Sequence, residues 1–126
     1  MSVKRGEIYW VQFDPAKGCE QGGLCPAVVV QNESSNCCSQ ATVVAAITRT
    51  QPPWPRPSAV VLEPRDSGLP ESCVVNCSLI ATVQQAGFGA RLRPPHGEPH
   101  VRAIGHLSAE KMAEVDASLR YQLALG

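Results

Sequence analysis

A carboxylate, a primary amide and two glycines stand in a row at Glu20-Gln21-Gly22-Gly23. Glu20 could accept or deliver a proton, and Gln21 could hydrogen-bond a polar ligand. The glycines let the backbone enter positive φ, which a plain polar turn would also use. His96 and His100 lie four residues apart, but no helical pattern holds them on one face and no third ligand follows, so no metal site is expected. Cys73 and Cys77 fit one face of a strand, and their spacing is not a recognised zinc pattern. Cys37-Cys38 are too close for an ordinary bridge. Free thiols are the expectation for all six cysteines, since no export signal precedes them.

The elements that must position these groups are mostly strands. Residues 7–13 alternate charged or polar with apolar side chains at first, and then Asp14-Pro15 turns the chain. Residues 27–31 and 42–48 are continuous apolar, β-branched runs that read as buried strands. Residues 58–62 and 73–83 supply more, the second bent near Asn76-Cys77-Ser78. Turn-rich stretches fill 32–40, 51–57 and 63–71, and 84–100 reads as a long Gly-, Pro- and Arg-rich loop. Ser108 is an N-cap residue with Glu110 in the following turn. Met112, Val115, Leu119 and Leu123 then form an amphipathic stripe expected to enter the core, with Lys111, Glu114 and Arg120 on the solvent side. Short strands at this spacing predict a mainly β barrel or sandwich closed by a C-terminal helix, in one domain over 1–126.

Composition narrows the function classes. Eleven basic and eleven acidic residues cancel, which excludes nucleic-acid binding by a general positive field but leaves room for a local basic patch. No run approaches the ~20 apolar residues of a membrane span. The N-terminal Lys4 and Arg5 lead straight into a strand pattern, so a cytoplasmic location is expected.

Larger blocks carry a resemblance. Lys4-Arg5-Gly6-Glu7-Ile8-Tyr9-Trp10, Asp14-Pro15, Gly18 with Glu20-Gln21-Gly22-Gly23, and residues 26–32 follow one another in order. Val43-Val44-Ala45-Ala46-Ile47-Thr48, Ile104-Gly105-His106-Leu107-Ser108 and Met112 with Val115-Asp116 complete the series. In these blocks the chain resembles the MazF/PemK (Kid) family of toxins of type II toxin–antitoxin systems. The resemblance implies an SH3-like β-barrel of the CcdB/MazF/Kid kind with a C-terminal α-helix, working as a homodimer. It also implies a metal-independent, cofactor-free endoribonuclease that cuts single-stranded mRNA at short sequences. Its partners would be RNA and a MazE-like antitoxin, with operator DNA reached only through the antitoxin.

The same resemblance assigns roles by position. Thr48 falls at the catalytic threonine, and Cys25 falls where the family carries its catalytic arginine. Glu20 joins them as acid or base. Gln21, Lys17, Arg49, Trp54, Asn76 and Ser78 become candidate RNA contacts, Trp54 by stacking from its Pro-rich loop. Trp10 and Phe13 could stack as well, although aromatics beside barrel strands usually belong to the core. Cys25 cannot imitate a guanidinium, because a thiol is a weak donor without permanent charge. Asn76, Ala81 and Cys37-Cys38 also stand where relatives commonly carry arginine. Two readings follow. Other cations (Arg49, Lys17, Arg91, Arg93, His96, His100, Arg102) enter the site, or the chain keeps the fold as a catalytically weak binding module that pairs with an antitoxin or a relative.

Overall fold

In the computed structural model, residues 2–13, 23–49 and 56–126 are described. The elements run β1 (Glu7–Gln12), β2 (Leu24–Val29), α1 (Glu33–Cys38), β3 (Ala41–Arg49), β4 (Ala59–Leu62), α2 (Pro64–Ser67), β5 (Cys73–Gln84), β6 (Leu92–Arg93), β7 (Gly105–His106) and α3 (Ala109–Gln122). One antiparallel sheet has the order β4-β5-β3-β2-β1-β6, and β7 also pairs with β1. The mainly β reading with a C-terminal helix is borne out.

Side chains alternate across this sheet, and both of its faces are buried. Ile8, Val28, Ala45 and Ile47 point into a core shared with Leu62, Val75, Leu107, Met112 and Val115. Their neighbours Tyr9, Val11, Ala27, Val29, Val44 and Ala46 enter a second core with Phe13, Val83 and Leu92. Burial on both faces is why the central strands read as unbroken apolar runs rather than as alternating ones. The register of β3 against β5 jumps between Ala45, opposite Ile80, and Ala46, opposite Asn76. The extra residues on β5 bulge and bend the sheet at the predicted place.

Much of the Lys-Arg-Gly-Glu-Ile-Tyr block is a clamp. The Arg5 guanidinium donates to the Val30 carbonyl (2.9 Å) and pairs with Asp116 on α3, while its backbone N–H donates to Glu33. Glu7 accepts from the Lys4 N–H (2.7 Å) and the Tyr9 hydroxyl (2.9 Å). Burial, then this carboxylate, pushes the Tyr9 phenol well above its ordinary range. Gly105 lies so close to Ser67 that a Cβ there would collide with the Ser67 carbonyl oxygen. The Ile-Gly-His-Leu-Ser block therefore has a packing reason of its own.

Several expectations need correction. Residues 32–40 hold helix α1, whose N-cap Asn32 accepts from the Ser35 N–H at 2.8 Å. Asn and Ser there cap a helix rather than only turn the chain. Buried Asn36 anchors it by accepting from Thr42 Oγ1 and Gln31 Nε2. Residues 63–71 include α2, closed at its start by a reciprocal capping box between Glu63 and Asp66. The 84–100 loop contains β6, too short to show periodicity, paired to Trp10 and Val11. Strand β2 begins at Leu24 and so contains Cys25 and Pro26. At the C-terminus Met112 and Val115 are buried, but Leu123 is the C-cap of α3 and 54% exposed. The helix ends before that position can reach the core. Lys111 is half-buried rather than solvated, its Nζ donating to the Val61 carbonyl at 3.1 Å.

Candidate functional site

Three of the sequence-assigned residues converge through strand register. The β2–β3 ladder pairs Val29 with Val44, Val28 with Ala45, and Ala27 with Ala46. Continued two residues past its last pair, that register sets Cys25 beside Thr48. Asn76 lies directly opposite Ala46 across the β3–β5 ladder. Partners in an antiparallel ladder share a face, so Cys25, Thr48 and Asn76 belong to one end and one face of the sheet. Thr48 is half-buried opposite Val74, and Arg49 is exposed opposite Cys73 at the strand end. The Asn76 carboxamide oxygen accepts from the Ser78 N–H (3.1 Å) and hydroxyl (2.5 Å), which fixes the bulge that carries both.

Glu20, Gln21, Lys17 and Trp54 lie outside the described residues. The edges of the segment that bears Glu20 are described: the Phe13 N–H donates to the Gly23 carbonyl at 2.8 Å. Gly23 has φ of 87°, a conformation that glycine adopts without strain. This edge adjoins Leu24 and Cys25 at the start of β2.

Cys25 corrects the free-thiol expectation. It is buried opposite Val11 and disulfide-bonded, so it offers neither a thiolate nor a cation. A spacing argument built on the absence of an export signal had no means of seeing that bond. Cys37, Cys38, Cys73 and Cys77 are free. The first two are exposed on α1, whereas burial pushes the thiols of Cys73 and Cys77 above their ordinary range. Both of the latter enter the same core, as their spacing on one strand implied. Among the described residues, no group of three or more His, Cys, Asp or Glu could hold a metal ion.

The other proposed cations separate. Arg102 is paired with Glu98 through two contacts of 2.7 Å, which holds the Glu98 carboxyl below its usual range. Arg93 is tied by its guanidinium to the carbonyls of Ala90 and Leu92. With Pro94, Pro95 and His96 it walls a depression of about 500 Å³ over half-buried Trp10. Phe13 is core. A second groove, of about 180 Å³, lies between Gln12, Phe13, residues 81–84, Gly89 and Arg91. No single stretch of sequence announces that groove, because it joins the end of β1 to both ends of the β5–β6 connection.

The architecture defines a small, mainly β protein with polar residues gathered at one sheet end and an α-helix packed on the opposite core. Residues 4–123 match the family described as PemK-like, MazF-like toxin of type II toxin-antitoxin system. The chain belongs to that family. It is 32% identical over 125 residues to endoribonuclease EndoA of Bacillus subtilis, covering 99% of this chain and 97% of the relative. Its fold is similar to an endoribonuclease solved in complex with its cognate antitoxin from Mycobacterial species, with a TM-score of 0.73 at 20% identity over 99% of this chain and 98% of the other. MazF from Deinococcus radiodurans gives a TM-score of 0.69 at 22% identity over 99% of both chains. Among the described residues, no helix is long and apolar enough to cross a membrane.

Proposed function

We propose that this chain is the toxin of a type II toxin–antitoxin system. It is read as a single domain over residues 1–126 that cleaves single-stranded mRNA at short sequences without a metal ion. In this reading it acts in the cytoplasm as a homodimer and is silenced by a MazE-like antitoxin, through which alone it meets operator DNA. The full-length similarity to the Bacillus endoribonuclease carries the proposal.

Cleavage by this route needs a group to take the 2′-hydroxyl proton, a group to protonate the departing 5′-oxygen, and donors to stabilise the phosphorane. Thr48, half-buried at its strand end, is assigned to hold the phosphate. Glu20 is assigned the proton transfers, and Gln21, Lys17, Arg49, Trp54, Asn76 and Ser78 the RNA contacts. Asn76 and Ser78 suit that task because their mutual hydrogen bonds preset both side chains.

Cys25 favours the second reading, a binding module of low activity. It is buried in the position of the family's arginine and its sulfur is committed to a disulfide. A missing preorganised donor costs ~10²–10³ in rate. Incubation of a long single-stranded RNA with the chain in EDTA distinguishes the two. The enzyme reading expects cutting that Thr48→Ala reduces ~10²–10³-fold. No cutting by the native chain, with cutting gained by Cys25→Arg, establishes the binding module instead.

A further inference from the structure

The connection between β5 and β6 presents an aromatic ring to water for no internal reason. Phe88 is 103% exposed, the extreme among the exposed large apolar side chains described. It sits between Gly87 and Gly89, with φ of 78° and 81°, and a Cβ on either glycine would meet nothing within 4 Å. Both faces of the ring are therefore open. The turn beneath it is pinned: the Arg91 N–H donates to the Gln84 carbonyl (3.0 Å), the Ala90 N–H to Gly87 (3.2 Å), and the Gln12 N–H to the Arg91 carbonyl (2.8 Å). A ring on a fixed base loses little freedom when something stacks on it.

Directly beside the tip runs the groove of Gln12, Phe13, residues 81–84, Gly89 and Arg91. Arg91 is exposed, and among the described residues its guanidinium makes no hydrogen bond or ion pair, whereas those of Arg5 and Arg102 hold carboxylates and that of Arg93 holds backbone carbonyls. Gln12, Thr82 and Gln84 add polar groups to the lining, and Ala81 contributes only a small methyl. A cation lining a polar groove beside an open aromatic face matches the chemistry of single-stranded nucleic acid, which needs backbone neutralisation and a stacking platform.

We infer that Phe88 and Arg91 form an RNA subsite at the β5–β6 turn, with a base stacked on Phe88 and the adjoining phosphate held by Arg91. The inference rests on the ribonuclease reading and deepens it by placing substrate beyond the Cys25–Thr48 end of the sheet. The groove is polar and its charge positive, so a phosphodiester suits it. An acidic peptide would use Arg91 but has no need of a ring open on both faces.

Fluorescence anisotropy with a labelled, uncleavable 2′-O-methyl RNA 12-mer tests this on the full chain. Phe88→Ala is expected to weaken binding about tenfold while Phe88→Trp keeps it. Arg91→Gln should lower the slope of log affinity against log salt by about 0.7, one phosphate contact on a single strand. Neither substitution touches a packed side chain, so folding is not in question. Native chain that binds RNA, with Phe88→Ala and Arg91→Gln unchanged, overturns the subsite and leaves the ribonuclease reading standing. Native chain that binds no RNA overturns both. Variants that keep RNA but lose an acidic peptide assign the turn to a protein partner and also overturn it.

Discussion

At the scale of single residues, the cysteines separate by environment rather than by sequence spacing. Alkylation follows the thiolate, so burial that raises the pKa also protects the sulfur. With iodoacetamide and peptide mapping, Cys37 and Cys38 should be modified in the folded chain, and Cys73 and Cys77 only after denaturation. Cys25 should require reduction as well, because its sulfur is already bonded. Rapid labelling of Cys25 in native, unreduced protein would contradict the disulfide. Glu33 supplies a pH test. Its carboxyl is held below the ordinary range, first by the Arg5 backbone N–H, then by Asn36 and the charges of Lys4 and Arg5. A carboxyl whose folded pKa is depressed adds stability above its unfolded pKa of ~4.3 and loses it as pH falls through the lower folded value. Thermal denaturation between neutral pH and pH 3 should show a shallower acid loss in Glu33→Gln than in the native chain. Equal slopes would remove Glu33 from the account.

At the scale of elements, the legible parts of the sequence were those where burial imposed a pattern. The strands around Val28, Val44 and Val75 were readable because both sheet faces are covered, and the bend near Asn76 because the apolar run breaks there. Helix α1 was hidden: its stability comes from an Asn32 cap and the Asn36–Thr42–Gln31 hydrogen bonds, which no periodicity records. Strand β6 was hidden because its pairing with β1 is decided by tertiary contact alone. The start of α3 was readable, since Ser108 accepts from the Lys111 N–H at 3.1 Å. Ser108→Ala should cost about 1 kcal/mol in urea denaturation, with an unchanged m-value. Gly105→Ala should cost more, about 1–3 kcal/mol, because the new methyl meets the Ser67 backbone and neither β7 nor α2 can yield without moving the other. A near-neutral Gly105→Ala would mean that this junction is looser than the packing indicates.

At the scale of the whole molecule, the candidate site was only partly visible in advance. Register gathers Thr48, Cys25 and Asn76, which the family pattern had named separately, whereas the commitment of Cys25 to a disulfide and the Phe88 tip depend on three-dimensional placement. Formal net charge is zero, so substrate is not drawn in by a broad positive field. Arg5 and Arg102 are already paired with acidic partners, and Arg93 with backbone carbonyls. In the ribonuclease reading, the exposed cation at the β5–β6 turn is Arg91, and Arg49 is exposed at the strand end beside Thr48. Each phosphate neutralised on a single strand contributes about 0.7 to the slope of log affinity against log salt, so contacts from these two cations give a slope of about −1.4. Measured by anisotropy across 50–300 mM salt, affinity for the uncleavable RNA should follow that shallow line, with stacking and hydrogen bonds supplying the salt-insensitive remainder. A slope of −5 or steeper would require about seven phosphate contacts, more than Arg49 and Arg91 can supply, and it would move the RNA path away from the Cys25–Thr48 end and the β5–β6 turn.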